Sequence, residues 1–161
     1  RWQTISSWPK SNQWILTIPV WYNLDVVHDF SSSVLLTYKG KMLLLSPDMP
    51  TTGTPQHLWR LISGEKEDPE SFEQAICRRI KHTTKLELTN IQLLSPAAHN
   101  KGKHFYHGEL TDNDVNSIER REGQRLEFFT LVELERLTLT EATEGLLNEY
   151  RNTVEKLFSR E

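Results

Sequence analysis

The sequence predicts an α/β domain, a mixed β-sheet with helices covering its faces. Element order carries this reading. Extended segments precede one central amphipathic helix, more extended segments follow, and a second amphipathic helix ends the chain. The two helices have separate apolar faces, and a sheet supplies two surfaces on which to bury them.

The chain has 161 residues, enough for one domain with a sizeable core. Its 37% hydrophobic and 25% charged residues place it with globular rather than disordered proteins. Nineteen Lys and Arg against 22 Asp and Glu leave a net charge of −3. That balance argues against a surface built throughout for nucleic acid, while a local basic patch stays open. Cys77 is the only cysteine, so an internal disulfide and a multi-cysteine metal site are excluded. A reducing compartment, the cytoplasm or another intracellular one, is the expected location. Apolar runs are short, as in Met42–Leu45, so no membrane span is expected, and no signal peptide is visible. Arg1 rather than Met opens the chain, which reads as a processed protein, a trimmed chain or one domain of a longer protein.

The first 30 residues hold Trp2, Trp8, Trp14 and Trp21, four of the five tryptophans. With Tyr22 they can stack a nucleobase, anchor a partner or bury against the domain. Residues 1–32 are accordingly set apart as a Trp-rich segment, expected to pack on the domain, on a partner or on a second copy. Trp14–Trp21 reads as extended, with Pro19 favouring an edge or bend. Ser33–Tyr38 and Met42–Leu45, joined through Lys39-Gly40-Lys41, read as a hairpin. Three prolines and Gly53 make residues 47–55 a loop.

Leu58–Ile62 reads as a strand ending at Ser63-Gly64. Asp68-Pro69 is a helix start signal, and Phe72, Ala75, Ile76 and Ile80 recur at helical spacing, which predicts a helix over about 69–83. Leu86–Leu88, Ile91–Leu94, Phe105–Leu110 and Leu126–Thr130 read as strands, Asp112–Glu122 as a loop or short helix, and Leu131–Leu137 as a short helix. A last helix opens at Thr140, with Leu146, Leu147, Tyr150, Val154, Leu157 and Phe158 on its buried face.

Gly64, Glu70, Arg78, Ile80 and Leu86 stand at the spacings of the pattern G-x5-E-x7-R-E-U-x-E-E-x-G-U, where U is a bulky aliphatic residue. The segment from Gly64 to Leu86 thus resembles a Nudix box. Trp59–Glu67 resembles the family's strand-to-glycine turn, and Glu122–Leu134 its last strand and following helix. The resemblance covers about residues 33–158 and implies a Nudix-like α/β/α sandwich with a mixed sheet for residues 33–161. It also implies that Glu70 and Arg78 support the shape of the loop–helix–loop.

Four box positions depart from the pattern. Arg79, His82 and Thr83 replace the three glutamates, and Lys85 replaces the glycine. In active relatives those glutamates bind the divalent metals that polarise a diphosphate. Positions 79, 82 and 83 are related as i, i+3 and i+4, so they share a helix face. That face here carries a cation, an imidazole and a hydroxyl, none a good ligand for a hard ion such as Mg²⁺. The expectation is no metal cofactor and no catalytic residue.

Arg79 and His82 can instead meet an anion directly. Lys101, Lys103 and His104, with His99 and His107, form a second cationic stretch able to steer a phosphate or RNA. Either set can equally be a solvated surface. His104 and His107 lie three apart in a strand and should face opposite ways, which disfavours a shared metal. Cys77 reads as a small core residue rather than a nucleophile. Two functions follow from the resemblance. One is a catalytically inactive binding or scaffold module for a nucleotide, RNA or protein. The other is a divergent pyrophosphohydrolase that takes its metal through other acids, such as Glu65, Glu67, Glu73, Glu119 or Glu122.

Overall fold

The computed structural model describes residues 31–47, 58–95 and 103–159. The expectations for Trp2–Tyr22, His99 and Lys101 lie outside them.

Strands β1 (Ser31–Tyr38) and β2 (Lys41–Pro47) form the expected hairpin. Tyr38 pairs with Lys41, and both loop residues, Lys39 (φ 44°) and Gly40 (φ 64°), adopt left-handed backbone, the two-residue turn that suits twisted strands. β3 (Ile62–Glu65) pairs antiparallel with the first half of β1, from Ser31–Glu65 to Val34–Ile62. Helix α1 (Phe72–Thr84) follows, then β4 (Ile91–Ser95), β5 (His104–Glu109), the short α2 (Asp112–Asn116), β6 (Gln124–Phe129), α3 (Leu131–Leu134), α4 (Glu141–Glu149) and α5 (Arg151–Phe158).

These six strands make one mixed sheet in the order β4-β5-β1-β2-β6, with β3 on β1. Only the β1–β5 pairing is parallel among the described strands, from Ser32–His104 to Thr37–Glu109. Alternation along the strands sorts the core into two layers. Val34, Leu36, Leu43, Leu45, Ile62, Tyr106 and Leu126 face Ile76 and Ile80 of α1. Leu35, Met42, Leu44, Trp59, Leu61 and Phe105 face the other way, against Val154 of α5, with Leu146 and Leu147 of α4 packed alongside. The α/β sandwich read from the sequence is therefore the observed architecture. No helix among the described residues is long and apolar enough to cross a membrane.

Several element limits differ from those expected. Helix α1 starts at Phe72, not at Asp68-Pro69, because Ser71 caps it more completely. Its hydroxyl accepts from Gln74 N at 3.1 Å while Gln74 Oε1 accepts from Ser71 N at 2.7 Å. The expected strand Leu58–Ile62 moves on to Ile62–Glu65. Trp59 and Arg60 form only isolated bridges, with Leu139 and Leu45, because β1 is the partner that offers a ladder and it is reached only from Ile62 onward. Leu86–Leu88 forms no strand with any described residue; Leu86 and Leu88 pack in the core beside α1 instead. The last helix is broken at Tyr150 (ψ 19°), so that α4 and α5 follow in succession, both with side chains on the second core layer.

Candidate functional site

The turn before α1 and the first two turns of α1 form one tied unit. Glu70 Oε2 accepts from Arg78 Nε at 3.1 Å, and Glu70 Oε1 accepts from Arg78 Nη2 at 2.6 Å. Arg78 Nη2 also donates to the Glu65 carbonyl at 3.0 Å, and Glu67 N donates to Glu70 Oε1 at 2.8 Å. The Arg78 guanidinium, with help from Glu67 N–H, holds the Glu70 carboxyl down at about 2. Glu70 and Arg78 thus link the loop before α1 to the helix.

Gly64 lies on β3 close against α1. A Cβ there would stand 3.1 Å from Arg79 Cβ and 3.4 Å from the Ala75 carbonyl oxygen. On the adjacent strand, Ser32 Oγ donates to the Phe72 carbonyl at 3.2 Å and fixes the start of the helix over the sheet. Ile80 and Leu86, the aliphatic box positions, are buried in the α1-side core.

The three positions that would carry glutamates in the box sit at graded depth. Arg79 is half-buried, His82 is exposed and Thr83 is buried. Thr83 therefore points to the interior and is not part of an open face. Lys85, at the glycine position, takes the left-handed conformation (φ 68°) that glycine would serve, and its N–H donates to the Lys81 carbonyl at 2.9 Å.

Two arginines from outside the box converge on this region. Arg60 is placed by reciprocal backbone bonds with Leu45, both 2.9 Å. Trp59 and Leu61 on either side of it point into the second core layer, so Arg60 faces α1, as Ile62 does. Arg121 is brought in from the segment after α2, which is anchored to the end of α1 where Glu119 N donates to the Thr84 carbonyl at 3.0 Å. Its Nη1 donates to His82 Nε2 at 2.5 Å.

The electrostatics follow from this assembly. Burial lowers the Arg79 pKa first, and the positive charges of Arg60, Arg121 and Arg78 add to the effect. His82 is also held below the ordinary histidine range, by desolvation and then by Arg121 and Arg79, so it serves as an acceptor for Arg121 rather than as a further cation. Arg79 Nε is buried and has no hydrogen-bond partner among the described residues. Among the described residues, no three His, Cys, Asp or Glu side chains are grouped so as to hold a metal ion. Glu67 is instead paired with Arg78 at 3.3 Å.

The described members of the second cationic stretch, Lys103, His104 and His107, lie apart from this cluster. His104 stacks on Phe72 at the start of α1, ring centroids 3.8 Å apart, two turns before Arg79. Lys103 immediately precedes β5 and is half-buried. His104 and His107 lie on opposite faces, as strand alternation requires: His107 Nε2 is 2.8 Å from Thr37 Oγ1, in a groove of about 390 Å³ that also involves Leu157 and Phe158 of α5. Cys77 is half-buried, its thiol donates to the Leu88 carbonyl at 3.5 Å, and burial raises its pKa, as suits an unreactive packing residue.

Sequence reading missed Arg60 and Arg121. For Arg60 a signal was present, because its spacing of two from Ile62 puts both on one side of an extended chain. For Arg121 there was none, since a long-range backbone bond sets its position.

No protein-family model matches the sequence, and no curated protein matches it. Solved structures do match in shape. A MutT structure from work on the fish pathogen Aliivibrio salmonicida and on Vibrio cholerae is 16% identical, with a TM-score of 0.57 over 74% of this chain and 92% of its own. The Nudix domain of Shewanella oneidensis NrtR, crystallised with ADP ribose, is 17% identical, with a TM-score of 0.53 over 78% of this chain and 87% of its own. A Nudix hydrolase from Nitrosomonas europaea is 20% identical, with a TM-score of 0.52 over 77% of this chain and 88% of its own. At such identities the likeness speaks to architecture. With the mixed sheet between α1 and α4–α5, it makes this chain a Nudix-fold protein.

Proposed function

We propose that this Nudix-fold domain binds its ligand without hydrolysing it, as a binding or scaffold module for a nucleotide, RNA or protein. One observation carries the reading. On α1, opposite Gly64, the positions where the resemblance would put metal-binding carboxylates hold Arg79, the neutral acceptor His82 and the buried Thr83. Arg79 repels a divalent cation, and the other two offer it no charge. The fold's route to diphosphate cleavage then lacks both a Lewis acid and an activated water. The tryptophans within segment 1–32 are of the residue type that anchors a protein partner or a second copy.

ADP ribose, the compound crystallised with the NrtR Nudix domain, is the first nucleotide to try. Incubation of the full chain with ADP ribose and a panel of nucleoside diphosphate compounds, with Mg²⁺ or Mn²⁺, should release no phosphate or monophosphate above the rate without protein. Metal-dependent turnover would overturn the reading in favour of a divergent pyrophosphohydrolase using acids such as Glu65, Glu73 or Glu122.

A further inference from the structure

We propose that residues 14–21 of this chain dock on the outer edge of β4 as the outermost strand of the sheet. The inference goes beyond the binding-module reading and does not rest on it. Among the described strands, β4 and β6 end the sheet. An end strand presents a row of N–H and C=O groups able to pair with further chain. The two ends differ in chemistry. β6 carries Arg125 and Glu127, joined as an ion pair, and charge is a common guard of an edge. β4 reads Ile-Gln-Leu-Leu-Ser, with no charge and no proline. Its Leu93 is 44% exposed; among the described residues Val132 is the other exposed large apolar side chain. Ile91 and Leu94 belong to opposite core layers, so a strand beside β4 meets apolar surface on both of its faces. The register shift between Leu93 and Ser95 makes Ile91–Leu93 the regular part of the template.

Residues 14–21, Trp-Ile-Leu-Thr-Ile-Pro-Val-Trp, suit that edge in three respects. Apolar side chains stand at both parities, Trp14, Leu16 and Ile18 on one face and Ile15 and Trp21 on the other, the pattern of a strand covered on both sides. Pro19 has no N–H for a ladder, which places the segment outermost with that position turned away from β4. The even-numbered residues then pair with β4. The chain also reaches. β5 runs parallel to β1 and antiparallel to β4, so β4 ends at the end of the sheet where β1 begins. A strand added outside β4 lies three strand spacings from Ser31, about 15 Å. The nine residues between Trp21 and Ser31 span up to about 30 Å. On the other side of Ser31 stands β3, which blocks the direct way to β6.

The test is amide hydrogen exchange of the full chain, read by mass spectrometry over residues 14–21 and 91–95, with light scattering for mass. A monomer is expected, in which 14–21 exchanges at least about 100-fold more slowly than unstructured chain. Ile18→Pro removes an N–H that bonds to β4 and should bring 14–21 to the unstructured rate and speed exchange over 91–95. Thr17→Pro, at an outward position like that of Pro19, should leave both within about threefold. Leu93→Asp probes the same contact from β4, at a side chain already exposed, and should speed exchange over 14–21 at least about tenfold. Slow exchange across α1 in each variant reads that the domain itself stays folded. Unstructured rates over 14–21 in the parent overturn the proposal, as does protection unchanged in Ile18→Pro or Leu93→Asp, or lost equally in both proline variants. A dimer whose dilution to monomer frees β4 also overturns it, since a second copy then holds that edge.

Discussion

Glu70 grips Arg78 across the turn that leads into α1, through Nε at 3.1 Å and Nη2 at 2.6 Å. The pair joins a loop to the side of a helix, so the orientation of α1 over the sheet depends on a charge that acid can remove.

Glu70 should therefore mark the acid limit of the fold. Its carboxyl sits at about 2 against an ordinary 4.5. A depressed folded-state value means that its contribution is fully present above 4.5 and is lost as pH falls through about 2. Glu70→Gln should be less stable than the parent at pH 7, and the difference should close as pH approaches 2. Urea unfolding at both ends of that window measures it; a difference undiminished at low pH would contradict the assignment.

Gly64→Ala should destabilise by roughly 1–3 kcal/mol, the usual cost of forcing extra volume into a close contact. The new methyl meets Arg79 Cβ at 3.1 Å, and that atom cannot swing away as the end of a flexible side chain can. Chemical denaturation reads the loss. A neutral result would show that β3 and α1 separate easily.

Lys85→Gly should stabilise by roughly 0.5–1 kcal/mol. Left-handed backbone costs an L-residue about 1–2 kcal/mol, and the greater freedom of glycine in the unfolded chain offsets part of the gain. The melting temperature should rise. A fall would mean that the Lys85 side chain contributes more than its backbone strain removes.

Thr143→Val keeps shape and deletes one hydroxyl. Thr143 Oγ1 accepts from the buried Leu61 N at 3.1 Å and from Thr140 Oγ1 at 3.0 Å. Leaving those donors unsatisfied should cost about 1–3 kcal/mol. Thr143→Ser, which keeps the acceptor, should recover most of it. Equal losses in both variants would point to packing rather than hydrogen bonding.

The architecture was readable because its signals are local or periodic. Ile76 and Ile80 mark one helix face, Val34 and Leu36 against Leu35 mark two sheet faces, and Lys39-Gly40 marks a turn. What was misread depends on competition between distant pieces of chain. Asp68-Pro69 is a sound start signal that loses to the reciprocal cap of Ser71 and Gln74. Leu58–Ile62 has strand composition, but its chain finds a ladder on β1 only at Ile62. In the candidate site, spacing located Arg79 and His82, yet it could not say that Thr83 turns inward. Nor could it find Arg121, which reaches His82 across 39 residues of sequence.

The parallel pairing of β1 with β5 has a consequence for how the chain acquires its structure. Thr37 and His107 meet across 70 residues, so the hairpin and α1 can form locally while the centre of the sheet waits for a distant strand. During synthesis β1, apolar on both faces, emerges long before β5 exists to cover its edge. We expect ribosome-bound chains stopped at Ser95 to resist pulsed proteolysis poorly and those extended past Phe158 to resist it well. Equal resistance would place the organising step before β5. The same contact that closes the sheet thus sets a period of exposure, in which the nascent chain depends on its surroundings to stay unassociated.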